Sequence, residues 1–315
     1  MLDAHTLSPG DNPWSEVAAL GTLEIHERSS GAEIVERARG ADIVLTNKTP
    51  LTAETLGALP GLQGVCVLAT GVNVVDVAAA AARGVVVCNI PAYSTPSTAQ
   101  HAIALLLELT NQVGRHDRAV HDGAWQRSPD FSFALAPLVE LDGLTLGIVG
   151  FGAIGRRVAD IARALGMRVL AAGDAKRADD PSWLERVPLE ELFGAVDALS
   201  LHCPLSERTR GLVNAARLSR MRPGAFVINT GRGPLVNEAD LAKALRDGVI
   251  AGAAVDVLTQ EPPAADNPLL SAPRCIITPH HAWATLAARR RAMRVTAENV
   301  RGILSGAPQH VVRPS

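Results

Sequence analysis

Short runs of Val, Ile, Leu and Ala alternate along this chain with longer stretches in which apolar residues recur at helical spacing. The alternation predicts parallel α/β architecture, since each buried strand needs a helix to carry the chain back across its sheet. In the first hundred residues the pattern predicts a helix over 31–39, a strand over 42–46 and a helix over 53–58. Strands over 65–68 and 85–89 follow, and most of these elements end at Gly, Pro or Asn. A long helix then starts near Pro96, with Thr95 as N-cap and the proline in the first turn, where a missing N–H costs nothing. It is apolar on nearly every side over 99–109, which predicts a buried position between two domains. Residues 122–137 carry Trp, Phe and Pro and read as an irregular connection. From 145 a second series opens, with strands over 145–150, 168–172, 197–201, 225–229, 252–256 and 275–278. Six such strands suffice for a complete dinucleotide-binding sheet. A last helix covers 286–304.

Length and composition sharpen this picture. A chain of 315 residues, 47% of them hydrophobic and only 3% aromatic, is long enough for two α/β domains with large cores. The formal net charge of −2 and the dispersed Lys and Arg residues leave no footprint for nucleic acid. The one basic cluster, Arg289-Arg290-Arg291, reads as a solvated helix face. Cys66, Cys88, Cys203 and Cys275 lie far apart without metal-ligand spacing, so no metal is expected; Cys66 and Cys88 sit in apolar runs and read as buried thiols of a reducing compartment. No apolar run approaches the length of a membrane helix, and the N-terminus has no signal-peptide pattern, so a cytoplasmic location is expected.

The strongest chemical motif lies at 150–155, Gly-Phe-Gly-Ala-Ile-Gly, between a predicted strand and a predicted helix. Gly150 permits the tight turn, Gly152 lets the backbone approach a pyrophosphate, and Gly155 lets the helix pack on the strand. The N–H groups of Ala153 and Ile154 open a helix whose dipole favours an anion. Alone the motif is weak; strand before and helix after make it a NAD(P) site. Asp174 lies about 20 residues further on, where an acid meets the ribose hydroxyls of NAD. Lys176 and Arg177 beside it suit the 2′-phosphate of NADP instead. NAD is the expected cofactor, with NADP the alternative.

Three later segments end apolar strands with a charged or titratable group each: Arg232 in 229–236, Glu261 in 253–263 and His280 in 278–285. Singly they are surface residues; together, on the rim beside a nicotinamide, they suit acid–base chemistry. Reduction of a 2-oxo acid needs a cation for the carboxylate, a proton donor for the carbonyl oxygen and a carboxylate that keeps the donor charged. Arg232 offers a planar fork, His280 a proton near neutral pH, and Glu261 the carboxylate.

These segments, with 46–56, 68–76, 89–95 and 143–155, resemble the D-isomer-specific 2-hydroxyacid dehydrogenase family, and most closely its glycerate dehydrogenase or hydroxypyruvate reductase branch. The resemblance covers essentially the whole chain. It implies a flavodoxin-like substrate domain over 1–98 and 284–315 and a Rossmann dinucleotide-binding domain over 99–283, with the active site in the cleft. It gives Arg232 substrate binding, His280 the acid–base role and Glu261 its support. It assigns Thr70, Gly71 and Val72 to the substrate carboxylate, a role that backbone N–H nests suit. Asn47 and Lys48 join the substrate set, with a solvated loop as the alternative for Lys48. Thr98 and Asp256 are placed by it at the nicotinamide, their alternatives being helix packing and a strand-end turn bond. His202, Cys203, Pro204 and Thr209 fall on the adenine side, and Thr230 and Gly231 near the nicotinamide ribose. The family also implies a homodimer built through the cofactor domain, with 122–137 as a candidate contact and an intrachain cover as the alternative for that stretch.

Two positions depart from the branch. Gly173 stands where an acid is usual, which leaves ribose recognition to Asp174. His281 replaces a usually apolar residue beside His280. The expected activity is reversible hydride transfer between NAD(P)H and a short 2-oxo acid such as hydroxypyruvate or glyoxylate. The alternatives are a non-enzymatic NAD-sensing protein, like the related corepressors, and a dehydrogenase of the same fold acting on phosphite.

Overall fold

The computed structural model describes residues 1–314 and divides into two compact units. One comprises Met1–Ser94 with the chain from Trp283 onward, the other Thr95–Ala282.

The first unit runs α1 (Ser15–Ala18), α2 (Gly31–Ala38), β1 (Ile43–Thr46), α3 (Ala53–Gly57), β2 (Gly64–Val67), α4 (Val77–Ala82) and β3 (Val86–Cys88). Its regular sheet has the order β1-β2-β3, all parallel. Hydrogen bonds extend it at both edges. Leu2 donates to Leu45 O, while His26 donates to Met1 O and Ala4 to His26 O. A first segment near 1–4 thus lies beside β1, and a second near 23–27 lies beyond it. Counted along the chain this is the 2-1-3-4-5 order of flavodoxin-like sheets. At the opposite edge Val311 pairs antiparallel with Cys88.

The second unit contains α5 (Thr95–Asn111), α6 (Val113–His121), β4 (Thr145–Val149), α7 (Ala153–Ala164), β5 (Arg168–Ala172), β6 (Glu185–Val187), α8 (Leu189–Ala195) and β7 (Ala198–Leu201). It continues with α9 (Ala215–Leu218), β8 (Phe226–Asn229), a 3-10 turn at Gly233–Leu235, α10 (Glu238–Arg246), β9 (Gly252–Val255) and β10 (Cys275–Ile277). The sheet is parallel throughout, with order β10-β9-β8-β7-β4-β5-β6. From β4 on, this is the dinucleotide-binding order 3-2-1-4-5-6 with β10 added as a seventh strand. The expected six strands are all present, but the expected sixth is that seventh; β6 was missing. Helix α5 packs on α7, β8 and β9 within this unit and buries Ala99, Ala102, Ile103, Leu105, Leu106 and Leu109. Thr95 is its first helical residue rather than its cap.

Helix α11 (Leu286–Leu304) closes the first unit against α1 and β2. Its basic cluster corrects the solvated-face reading. Arg289 is 7% exposed, pairs with both carboxylate oxygens of Asp11 at 2.5 and 2.6 Å, and donates to Leu7 O and Ala284 O. Arg291 donates to Tyr93 O. A fork-on-carboxylate pair with two further carbonyls satisfies a buried guanidinium, which a lone charge there would not survive. No helix among the described residues is long and apolar enough to cross a membrane.

Candidate active site

The parallel sheet of the second unit brings the C-terminal ends of its strands to one edge, where open α/β sheets bind ligands. The glycine turn follows β4, Asp174 follows β5, His202 follows β7, Arg232 follows β8, Asp256 follows β9 and His280 follows β10. Adjacent strands β8, β9 and β10 therefore carry the Arg, the Glu and the His.

Each glycine of the turn has its own reason. Gly150 has φ +97°, and a Cβ there would run into the backbone of His202 and Cys203; a Cβ on Gly155 would run into Gly150 O. At Gly152 nothing lies within 4 Å of such a Cβ. Two glycines are thus demanded by the fold itself. The third faces open space at the start of α7, whose first N–H groups have no partner within the helix. Open space at a helix N-terminus suits an anion. A second observation fits a bound nucleotide. The Thr230 hydroxyl is buried and has no hydrogen-bond partner among the described residues, and Gly231 beside it is held by Asn229 Oδ1 at 3.0 Å.

The residues expected on the adenine side form a tied loop. His202 Nε2 meets Ser200 Oγ at 2.8 Å, and burial lowers its pKa to about 4, so the ring is neutral. The Thr209 hydroxyl donates to Pro204 O at 2.8 Å and accepts from Ser206 N–H at 2.8 Å. Burial raises the Cys203 thiol, and pushes those of Cys88 and Cys275 up to about 11 and about 12, which leaves all three un-ionised near neutral pH. All four cysteines are free.

At the end of β5, Gly173 leaves room for a buried ion pair. A Cβ there would sit 3.0 Å from Arg186 Nη1, and Arg186 is bound to both oxygens of Asp180 at 2.5 and 2.7 Å. The Arg186 hydrogen bond holds the Asp180 carboxyl far below the usual range. Arg186 and Arg156 also flank the Phe151 ring, at 5.6 and 4.8 Å from its centre. Asp174, the expected ribose contact, is exposed.

His280 and Glu261 form a close pair on the rim, Nδ1 to Oε2 at 2.6 Å, while Leu258 N–H donates to Glu261 Oε1 at 3.0 Å. The His280 backbone is left-handed (φ +51°) and its N–H donates to Asp256 O at 2.8 Å. A non-glycine residue held there by its surroundings is the kind of local strain that functional sites carry. Arg232 is exposed, with Nη1 donating to Gly231 O at 2.8 Å. Its neighbour Gly233 was not singled out from the sequence, yet a Cβ there would collide with the backbone of Leu258 and Thr259. That close approach brings the Arg232 turn against the loop that carries Glu261.

Asp256 is 1% exposed, and its carboxylate accepts from Thr278 Oγ1 at 2.6 Å, His281 N–H at 3.0 Å and Ala282 N–H at 2.9 Å. Burial pushes its carboxyl up, but hydrogen bonds from His101, Thr278, Ala282 and His281 outweigh that and hold it below the usual range. The strand-end bond set beside the nicotinamide role is therefore present. Thr98 is buried in the first turns of α5.

In the first unit, Asp3 organises the Asn47-Lys48 loop, accepting from the N–H groups of Asn47, Lys48 and Thr49. The Asn47 amide donates to Thr6 Oγ1 at 2.9 Å, and Lys48 is exposed. The Thr70 hydroxyl donates to Ile90 O at 2.9 Å and the Thr70 carbonyl accepts from Asn89 Nδ2 at 2.8 Å, so that turn is fixed next to Gly71 and Val72. Asp3 was overlooked because an acid near a chain start has no pattern around it.

With this geometry in hand, the comparisons with known proteins decide the family. The D-isomer specific 2-hydroxyacid dehydrogenase, NAD binding domain, matches residues 103–282. The chain belongs to that family. A hydroxypyruvate reductase of Blautia hydrogenotrophica is 45% identical over 99% of this chain and 98% of its own length. A glycerate dehydrogenase of Methylorubrum extorquens is 42% identical over 89% of this chain and 88% of its own. Among solved structures, an NADPH-dependent glyoxylate/hydroxypyruvate reductase of Sinorhizobium meliloti in complex with NADP and malonate is 33% identical, with a TM-score of 0.80 over 91% of this chain and 88% of that one. The chain is thus an NAD(P)-dependent 2-hydroxyacid dehydrogenase.

Proposed function

We propose that this dehydrogenase reduces hydroxypyruvate and glyoxylate to D-glycerate and glycolate. The observation that carries the reading is the 2.6 Å His280–Glu261 pair at the end of β10, one strand from β9 and two from the Arg232 turn. The names of the Blautia, Methylorubrum and Sinorhizobium relatives support the substrate class. In reduction, Arg232 holds the substrate carboxylate with its guanidinium fork. His280, held at Nδ1 by Glu261, donates a proton from Nε2 to the carbonyl oxygen in reduction and takes it back in oxidation. Glu261 fixes the ring, because its Oε1 is itself anchored by Leu258 N–H. Bound NAD(P)H supplies the hydride, so 2-oxo acid, NAD(P)H and one proton give 2-hydroxy acid and NAD(P)⁺. The turn at Gly150–Gly155, Asp174 and the Thr230 hydroxyl hold the nucleotide in this reading.

The test is a panel of 2-oxo acids assayed with NADH and NADPH in parallel, on the wild type and on Arg232→Ala. Hydroxypyruvate and glyoxylate should lead the panel, and the variant should lose at least about a hundredfold in kcat/KM, the scale of one lost charged contact at the transition state. Near-normal turnover by the variant would remove Arg232 from the site.

The protein is further proposed to act as a homodimer in the cytoplasm. Support for the dimer is the exposure of Val113, Trp125, Phe131 (90%) and Leu138 within one stretch of the second unit. Sedimentation equilibrium should return twice the chain mass; a monomer at micromolar concentration overturns this.

A further inference from the structure

Beside the His280–Glu261 pair lies a second polar cluster, in which only Asp256 has an expected role, at the nicotinamide, and the two histidines have none. His101 comes from α5, Asp256 from the end of β9 and His281 from the turn after β10, and their ligand-capable atoms all lie within 4.8 Å of one another. The two imidazole rings stand 4.8 Å apart at 83°. His101 Nε2 is 3.5 Å from Asp256 Oδ1 and 3.0 Å from Thr278 Oγ1. Metal–ligand bonds of about 2.1 Å at the tetrahedral angle put two ligand atoms about 3.4 Å apart. His101 and Asp256 already stand at that spacing, on a rigid helix and a rigid strand end. The third group, His281, is exposed.

We infer that His101, Asp256 and His281 form a binding site for a borderline divalent metal ion of the Zn²⁺ and Co²⁺ class. Two imidazoles and one carboxylate, leaving open positions for water, are the donor set such ions favour over Mg²⁺ or Ca²⁺. Binding takes the Nε2 proton off His101, which moves to the Nδ1–H tautomer. Thr278 goes on donating to Asp256 Oδ1, the outer contact that orients the carboxylate. The sequence hides this site, because its residues come from three separate elements without any short spacing. The ion would also act as a brake. It ties His281 to α5, and His281 adjoins His280, whose N–H rests on Asp256 O. The brake rests on the acid–base reading of His280; metal binding does not.

Cobalt(II) titrated into the cofactor-free protein tests the site directly. One equivalent should bind with the visible d–d absorption of a four- or five-coordinate N/O site. His101→Ala and His281→Ala should each remove that band and weaken binding by more than about tenfold, the lower cost of losing even an outer-sphere partner. His280→Ala should keep the band. His281 is on the surface, so its variant folds even if the His101 variant does not. A wild type without the band, a band that survives His281→Ala, or one lost with His280→Ala overturns the site. Zn²⁺ should then slow wild-type turnover and leave His281→Ala unaffected; equal inhibition of both overturns the brake while the cobalt band still reports the site.

Discussion

Glu261 divides its carboxylate between Leu258 N–H on one oxygen and His280 Nδ1 on the other, so its charge and its position act on the same ring. Glu261→Gln keeps the size and loses the charge. The expected result is a kcat/KM for 2-oxo acid reduction lower by about a hundredfold or more, the lower end of what a positioned acid contributes. The KM for NADH should stay within twofold or so of wild type, since the residue meets no nucleotide in this reading. A pH–rate profile identical to that of the wild type would show that the pair is structural. Arg232, Glu261 and His280 stand out as candidates in the sequence because each puts a charged or titratable group in the turn after an apolar strand. Arg289 was misread, because a run of three arginines gives no sign that the first reaches Asp11 across a long sequence separation. His101 stayed invisible for the same reason, as one polar residue in an apolar helix whose partners lie far along the chain.

At the scale of elements, period and punctuation revealed what is buried on both faces. Strands β4, β5, β7, β8 and β9, each Val-, Leu- or Ala-rich, and helix α11 fall where the pattern put them. The misses lie at the sheet edges or next to them. Strand β6 is Glu-Arg-Val at the rim of its sheet, and the segments near 1–4 and 23–27 pair through scattered hydrogen bonds, so neither carries a long apolar run. Edge strands need little apolar sequence, which is why periodicity cannot find them. The glycine turn separates fold from function within one element. Gly150→Ala should destabilise the protein by about 1–3 kcal/mol, as overpacking against backbone does, with further strain from its positive φ. Gly152→Ala meets nothing within 4 Å and should leave stability nearly unchanged, yet raise the NADH KM at least about tenfold by filling the pyrophosphate space. Urea unfolding and steady-state kinetics on both variants decide it. Equal loss of stability in the two would contradict the distinction.

Across the molecule, every nucleotide contact proposed here lies within Thr95–Ala282, apart from the unit built on the flavodoxin-like sheet. A ligand that binds only the native state adds RT ln(1 + [L]/Kd), about 2.7 kcal/mol at a hundredfold excess over Kd. For a cooperative unit of 150–250 residues each kcal/mol moves the midpoint by about 2–4 °C, so NADH should raise the unfolding transition of the second unit by about 5–10 °C. If calorimetry resolves two transitions, only one should move. If the two units melt together, the single midpoint should rise by less, because the same free energy is spread over a larger unfolding enthalpy. At the same ligand concentration a tenfold weaker Kd leaves about 1.4 kcal/mol, so Gly152→Ala should cut the shift by about half or more without lowering the ligand-free midpoint, a combination that a general loss of stability cannot produce. A shift that persists undiminished in Gly152→Ala would move the nucleotide away from the β4–α7 turn, and with it the hydride from the rim where Arg232, Glu261 and His280 stand.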